Sequence, residues 1–155
     1  MNKMILIQSL AVFSVLFFSC DKTDNCPDSE NYTNSGIIID NASVENNCVS
    51  VKNRGNYIIT NQQEYDSIEV VKWNDTCDAS LNPINFNAYS LLGMYQRGTC
   101  RVNFERNVST DSINKKYIYS IKVNECGNCK TNYEHMNWVL VPKIPDNWTV
   151  EFISK

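Results

Sequence analysis

Histidine is nearly missing from this chain: His135 is the single one among 155 residues. One imidazole supplies neither a histidine-rich metal site nor a conventional serine-histidine-aspartate arrangement. A basic excess is missing too. Lys and Arg number 14 against 17 Asp and Glu, a net charge of −3 with no basic patch, so nucleic acid is not an expected partner. No internal repeat is present. No apolar run reaches the roughly 20 residues that a bilayer-spanning helix needs. Clustered acid-base pairs are absent as well: the carboxylates between Asp66 and Glu134 are scattered, and no spacing among them selects a glycosidase-type acid and base.

What the chain does have is an odd count of cysteines, seven, at 20, 26, 48, 77, 100, 126 and 129. The first explains the parity. Lys3 is followed by an apolar run, Met4 to Phe18, broken only by Gln8, Ser9 and Ser14, and then by Ser19 directly before Cys20. This is signal-peptide anatomy, with residues 1–19 removed. The ending Phe17-Phe18-Ser19-Cys20 resembles a bacterial lipobox, in which the cysteine thiol is acylated and becomes the new N-terminus. Lipidation of Cys20 leaves Cys26, Cys48, Cys77, Cys100, Cys126 and Cys129, an even set suited to disulfides in an oxidising compartment. Near-neighbour pairing favours Cys26–Cys48, Cys77–Cys100 and Cys126–Cys129. Removal of Lys3 with the signal takes the net charge from −3 to −4. The expected address is the bacterial cell envelope, anchored by lipid to the outer membrane. Charged residues after such a cysteine resemble a surface-display signal in some bacteria, and Asp21 resembles an inner-membrane retention signal in others, so the leaflet stays open.

Residues 20–35 are polar throughout and read as a tether. Residues 36–155 then form one domain of a size that benefits from staples. Strand signals dominate it: Gly36–Ile39, Tyr57–Thr60, the doubly apolar Tyr89–Tyr95, the alternating Tyr117–Val123, Trp138–Val141 before Pro142, and Trp148–Phe152. One segment reads as a helix. Asn61 stands three residues before Glu64 in a capping-box arrangement, and Tyr65, Ile68 and Val71 or Lys72 fall on one face, which predicts a helix over 62–72. The fold class expected is mostly β, an α+β domain with a single compact antiparallel sheet or partly open barrel, one packed helix, and disulfide staples.

The order of these segments is informative. A Tyr57-Ile58-Ile59-Thr60 strand leads to Asn61-Gln62-Gln63-Glu64-Tyr65 opening a helix. Asn85-Phe86-Asn87-Ala88-Tyr89 leads a buried strand, and Asn137-Trp138-Val139-Leu140-Val141-Pro142-Lys143 comes near the end. Residues 57–152 thereby resemble the PrcB C-terminal-like family of small bacterial lipoprotein domains, named after a subunit of a surface protease complex. Asn85 stands where Asp usually precedes the Phe, and the Gly-Gly-Tyr feature of many members is not evident. The resemblance implies a non-enzymatic accessory domain that binds or supports a protein partner, with no catalytic residues and no cofactor.

Local motifs offer rivals. Cys126-Gly127-Asn128-Cys129 could be a redox dithiol, the basis of a thiol-disulfide oxidoreductase alternative. However, it follows a strand and precedes no apolar helix, where thioredoxin-like chemistry would place it. Cys126, Cys129 and His135 have spacing that zinc allows, yet six thiols in an oxidising space are better suited to pairing. Trp73, Trp138 and Trp148 could line a glycan platform, although strand tryptophans are more often core. Asp-Ser-Ile at 66–68 and 111–113 resembles bacterial O-glycosylation sites. Partner binding is expected on loops held by a rigid sheet, at 74–83, 96–100 and 125–137, with Tyr133, Glu134 and His135 as candidate contacts.

Overall fold

The computed structural model describes residues 31–42, 44–45, 48–76, 81–127 and 132–155. The signal segment, Cys20, Cys26, Cys77 and Cys129 lie outside the described residues. In chain order the elements are β1 (Asn31–Gly36), β2 (Asp40–Asn41), β3 (Val49–Val51), β4 (Asn56–Ile59), α1 (Gln62–Asp66), β5 (Val70–Lys72), β6 (Tyr89–Thr99), β7 (Arg101–Asp111), β8 (Lys116–Cys126), β9 (Asn132–Pro142) and β10 (Thr149–Ser154). The protein is mostly β, with several open sheets.

Its centre is one long hairpin folded over on itself. β7 and β8 pair antiparallel from Asp111↔Lys116 to Arg101↔Cys126, and β6 and β9 continue the ladder from Thr99↔Asn132 to Tyr89↔Pro142. The tip is closed by Asp111, whose Oδ1 accepts the Asn114 amide at 3.0 Å. Halfway along, the chain turns a corner at Cys100, whose φ of 61° is left-handed backbone that non-glycine residues seldom adopt. The ribbon therefore divides into two four-stranded sheets, ordered β1-β7-β8-β10 and β2-β9-β6-β4. The outer strands of the first sheet, β1 and β10, join in parallel. A small antiparallel ribbon, β3 with β5, stands apart.

Alternation decides what each face buries. Val102, Phe104 and Val108 on β7 and Tyr117, Tyr119 and Ile121 on β8 point inward, where they meet Leu92, Met94, Val139 and Val141 of the second sheet. The opposite face of that second sheet is also covered. Leu91, Met136 and Trp138 pack there against Val51, Ile59, Tyr65 and Phe86. Burial on both faces is why Tyr89–Tyr95 reads as a continuous apolar run. Gly93 makes room for the Trp138 ring, which a side chain at that position would overlap.

Several expectations are corrected. The single sheet is two sheets plus a ribbon, because the corner at Cys100 redirects both arms of the hairpin. Parallel pairs accompany the antiparallel ones. The helix spans only Gln62–Asp66. Its cap is as read, with Asn61 Oδ1 accepting the Glu64 amide at 2.9 Å, while Glu64 Oε2 reaches back to the Thr60 amide at 2.6 Å. It ends early because Val70 and Val71, both β-branched, pair with Val51 and Ser50 instead. Residues 31–35, read as tether, belong to β1. The strand placed at 36–39 is instead the link from β1 to β2. The supposed loops 96–100 and 125–137 lie largely in β6, β8 and β9.

Candidate functional site

Arg106 occupies an inward position on β7, between Phe104 and Val108, and is only 3% exposed. A guanidinium in that place needs compensation, because burying a charge without a partner is costly. Part of it comes from the Tyr32 ring, which β1 sets against β7 so that the guanidinium carbon lies 4.4 Å from its centroid. Asn41 Oδ1, at the end of β2, accepts from Nη2, and the Trp138 carbonyl accepts from Nη1 at 3.4 Å. Nε has no acceptor. No ion pair among the described residues includes Arg106. Burial pushes its pKa down from the ordinary arginine value, yet an arginine keeps its proton under all ordinary conditions.

Beside it opens a cavity of about 210 Å³ whose walls include Tyr32, Asn41, Glu45, Arg106, His135 and Trp138. The cavity exists because β2 covers the outer edge of β9 only at Val139 and Leu140. His135 is fixed by aromatic contacts, 5.3 Å from Tyr32 and 5.9 Å from Phe104 between centroids, and its Nε2 lies 2.8 Å from the Tyr32 hydroxyl. One Glu45 oxygen accepts the Val51 amide at 2.9 Å. The Trp138 indole Nε1, like Arg106 Nε, is a buried donor without an acceptor. Beneath the site Tyr119 donates to the Asn137 carbonyl at 3.1 Å, and burial raises its pKa strongly while the Arg106 charge pulls the other way. The arrangement places a fixed positive charge and a hydrogen-bonding aromatic pair around a space open to the outside. It suits holding a polar group.

The three candidate contact residues are divided by the strand they share. Tyr133 and His135 are on one face of β9 and Glu134 is on the other. His135 reaches the cavity. Glu134 forms ion pairs with Arg54 and Arg97, beside the Arg54–Tyr95 stack. Tyr133 is exposed. Sequence reasoning missed Arg106, Tyr32 and Asn41. The signal for Arg106 was present: it holds the inward parity in the alternating run Val102, Phe104, Arg106, Val108.

Cys48, Cys100 and Cys126 are disulfide-bonded, whereas Cys26, Cys77 and Cys129 lie outside the described residues, and so the expected pairings do too. Cys126 ends a strand, and its backbone pairs with that of Cys100 at the corner, so it does not sit at a helix N-terminus. Its sulfur, held in a disulfide, is not a thiolate ligand for a metal. The tryptophans do not form one platform: Trp138 is buried, Trp148 packs edge-on against Tyr117 at 5.6 Å, and Trp73 is 70% exposed. The Asp-Ser-Ile at 111–113 occupies the β7–β8 tip, while Ser67 of the other caps the helix. No protein-family model, curated protein or solved structure matches the chain.

Proposed function

We propose that this chain is a non-enzymatic envelope lipoprotein whose domain binds a protein partner, with Cys20 as the lipid-bearing residue and the outer membrane as its address. The observation that carries the binding reading is the Arg106 cavity: a buried cation without an ion-pair partner among the described residues, held in place by three strands and open at the side of the domain. A site built on paired strands meets its ligand with little ordering cost, which is what a binding module requires. The PrcB-like segment order at 57–152 supports the same reading and points to a subunit of a surface protease complex as partner. Disulfides at the sheet corner suit a domain working in an oxidising compartment.

The test is cross-linking in the native envelope from a photoreactive residue placed at Ala42, on the cavity wall. A discrete adduct with one protein is expected, lost on Cys20→Ala if anchoring brings the two together. Labelled fatty acid should be incorporated by the parent and not by Cys20→Ala. A fully displayed protein that forms no discrete adduct would overturn the reading.

A further inference from the structure

We infer that the Arg106 cavity is a carboxylate-binding site, an inference that rests on the binding reading above and names the chemistry its partner or ligand presents. A guanidinium offers five N–H donors. At Arg106 two acceptors are in place, the Asn41 amide oxygen and the Trp138 carbonyl, both uncharged. Nε is buried and has no acceptor among the described residues. Among the described residues the charge is met by the Tyr32 ring and by neutral dipoles. A guanidinium that is 3% exposed and has no ion-pair partner among the described residues gains a charged acceptor when an anion enters the adjoining space. Trp138, whose side chain lies on the other face of β9, also borders the cavity, and its indole Nε1 is a buried donor without an acceptor.

The cavity also limits which anion fits. About 210 Å³ admits a small group and not a folded surface. Glu45 also lines the cavity, one of its oxygens accepting the Val51 amide. That negative charge disfavours a dianion such as phosphate and tolerates a single carboxylate directed at Arg106. Tyr32 and His135, in contact with each other, add aromatic lining beside the carboxylate. Such a carboxylate has two sources, a free small acid or the terminus of a peptide chain.

The experiment is a titration of the ¹⁵N-labelled chain, read at the three tryptophan indole signals and the arginine Nε–H region. Sodium acetate and a short glycine-serine peptide with a free C-terminus are the probes, with sodium chloride and the amidated peptide as controls. A saturable shift of the Trp138 indole and the Arg106 Nε–H is expected, with the Trp73 and Trp148 indoles unmoved. Arg106→Lys keeps the charge but loses the planar fork, and should weaken binding about tenfold or more. Because Arg106 is also part of the core, the shift in the unaltered protein stands as a separate readout. A peptide that binds more tightly than acetate, and fails when amidated, identifies a chain end as the source; equal binding identifies a small acid. Absence of a saturable shift with both probes would overturn the carboxylate site. A cross-linked partner retained under those conditions leaves the binding reading standing, so the two failures are distinct.

Discussion

Trp138 shows how much a single position can carry. Its ring is 2% exposed, fills the space left by Gly93 and tilts against Tyr57 at 5.2 Å between centroids. Its backbone carbonyl meanwhile receives Arg106 from the facing sheet. Trp138→Ala should therefore cost about 3–5 kcal/mol, the usual range for emptying a large aromatic site. Denaturant unfolding measures this. A loss under about 1 kcal/mol would mean that the neighbours collapse into the space. Arg106 reads differently at the same scale. A charged residue with inward parity breaks the rule that governs its strand, and such breaks concentrate where a protein does something besides fold.

Among the elements, α1 was legible at its start and β1 was not legible at all. The cap of α1 was visible because its chemistry is local: Asn61 and Glu64 are three residues apart and satisfy free amides at the helix start. The hydrogen bonds from Thr60 and Asn61 hold the Glu64 carboxyl below its ordinary pKa of 4.5. A carboxylate lowered in the folded state adds stability that is complete above the ordinary value and lost as pH falls through the lowered one. Glu64→Gln should thus lower the melting temperature at neutral pH, and the difference from the parent should vanish in strong acid. A difference unchanged across that window would assign the effect to geometry and not charge. β1 was illegible because Asn31–Gly36 is polar apart from Tyr32. Its place comes from pairing with β7, and Tyr32 fixes it by stacking on Phe104 at 5.9 Å and covering Arg106. Tyr32→Ala should cost about 2–4 kcal/mol, judged by large-to-small changes at well-packed sites. Hydrogen exchange at the β7 amides should rise with it. If stability is unaffected, β1 adds little to the domain.

The whole molecule depends on the corner at Cys100. There a long ribbon turns from one sheet into the next, and the backbones of Cys100 and Cys126, both disulfide-bonded residues, pair across it. Disulfides at such a point restrict the unfolded chain and hold the bend. Reduction should lower stability by about 2–5 kcal/mol, the common loss for a small stapled domain. Alkylation of the unreduced, denatured protein should leave Cys48, Cys100 and Cys126 unmodified, and peptide mapping should identify their partners. Modification of any of the three under those conditions would remove the staple from the account.

The sequence by itself determined the β class, the buried character of Tyr89–Tyr95, the helix cap and the alternation in β8, because each follows from residues within a few positions of one another. It also contained the parity that leads to Cys20 as the expected anchor. Only the tertiary structure decided that the long hairpin folds into two sheets, since that turns on left-handed backbone at Cys100 and at Gly127 beside it, between continuous strand patterns. The same holds for the parallel edge strands and for the end of α1, where Val70 and Val71 find β-partners some twenty residues earlier in the chain. The candidate site belongs wholly to this second kind. Tyr32, Asn41, Arg106, His135 and Trp138 come from four strands and share no spacing. What joins them is a cation that needs compensation wherever it is buried, and burial is a property of the fold.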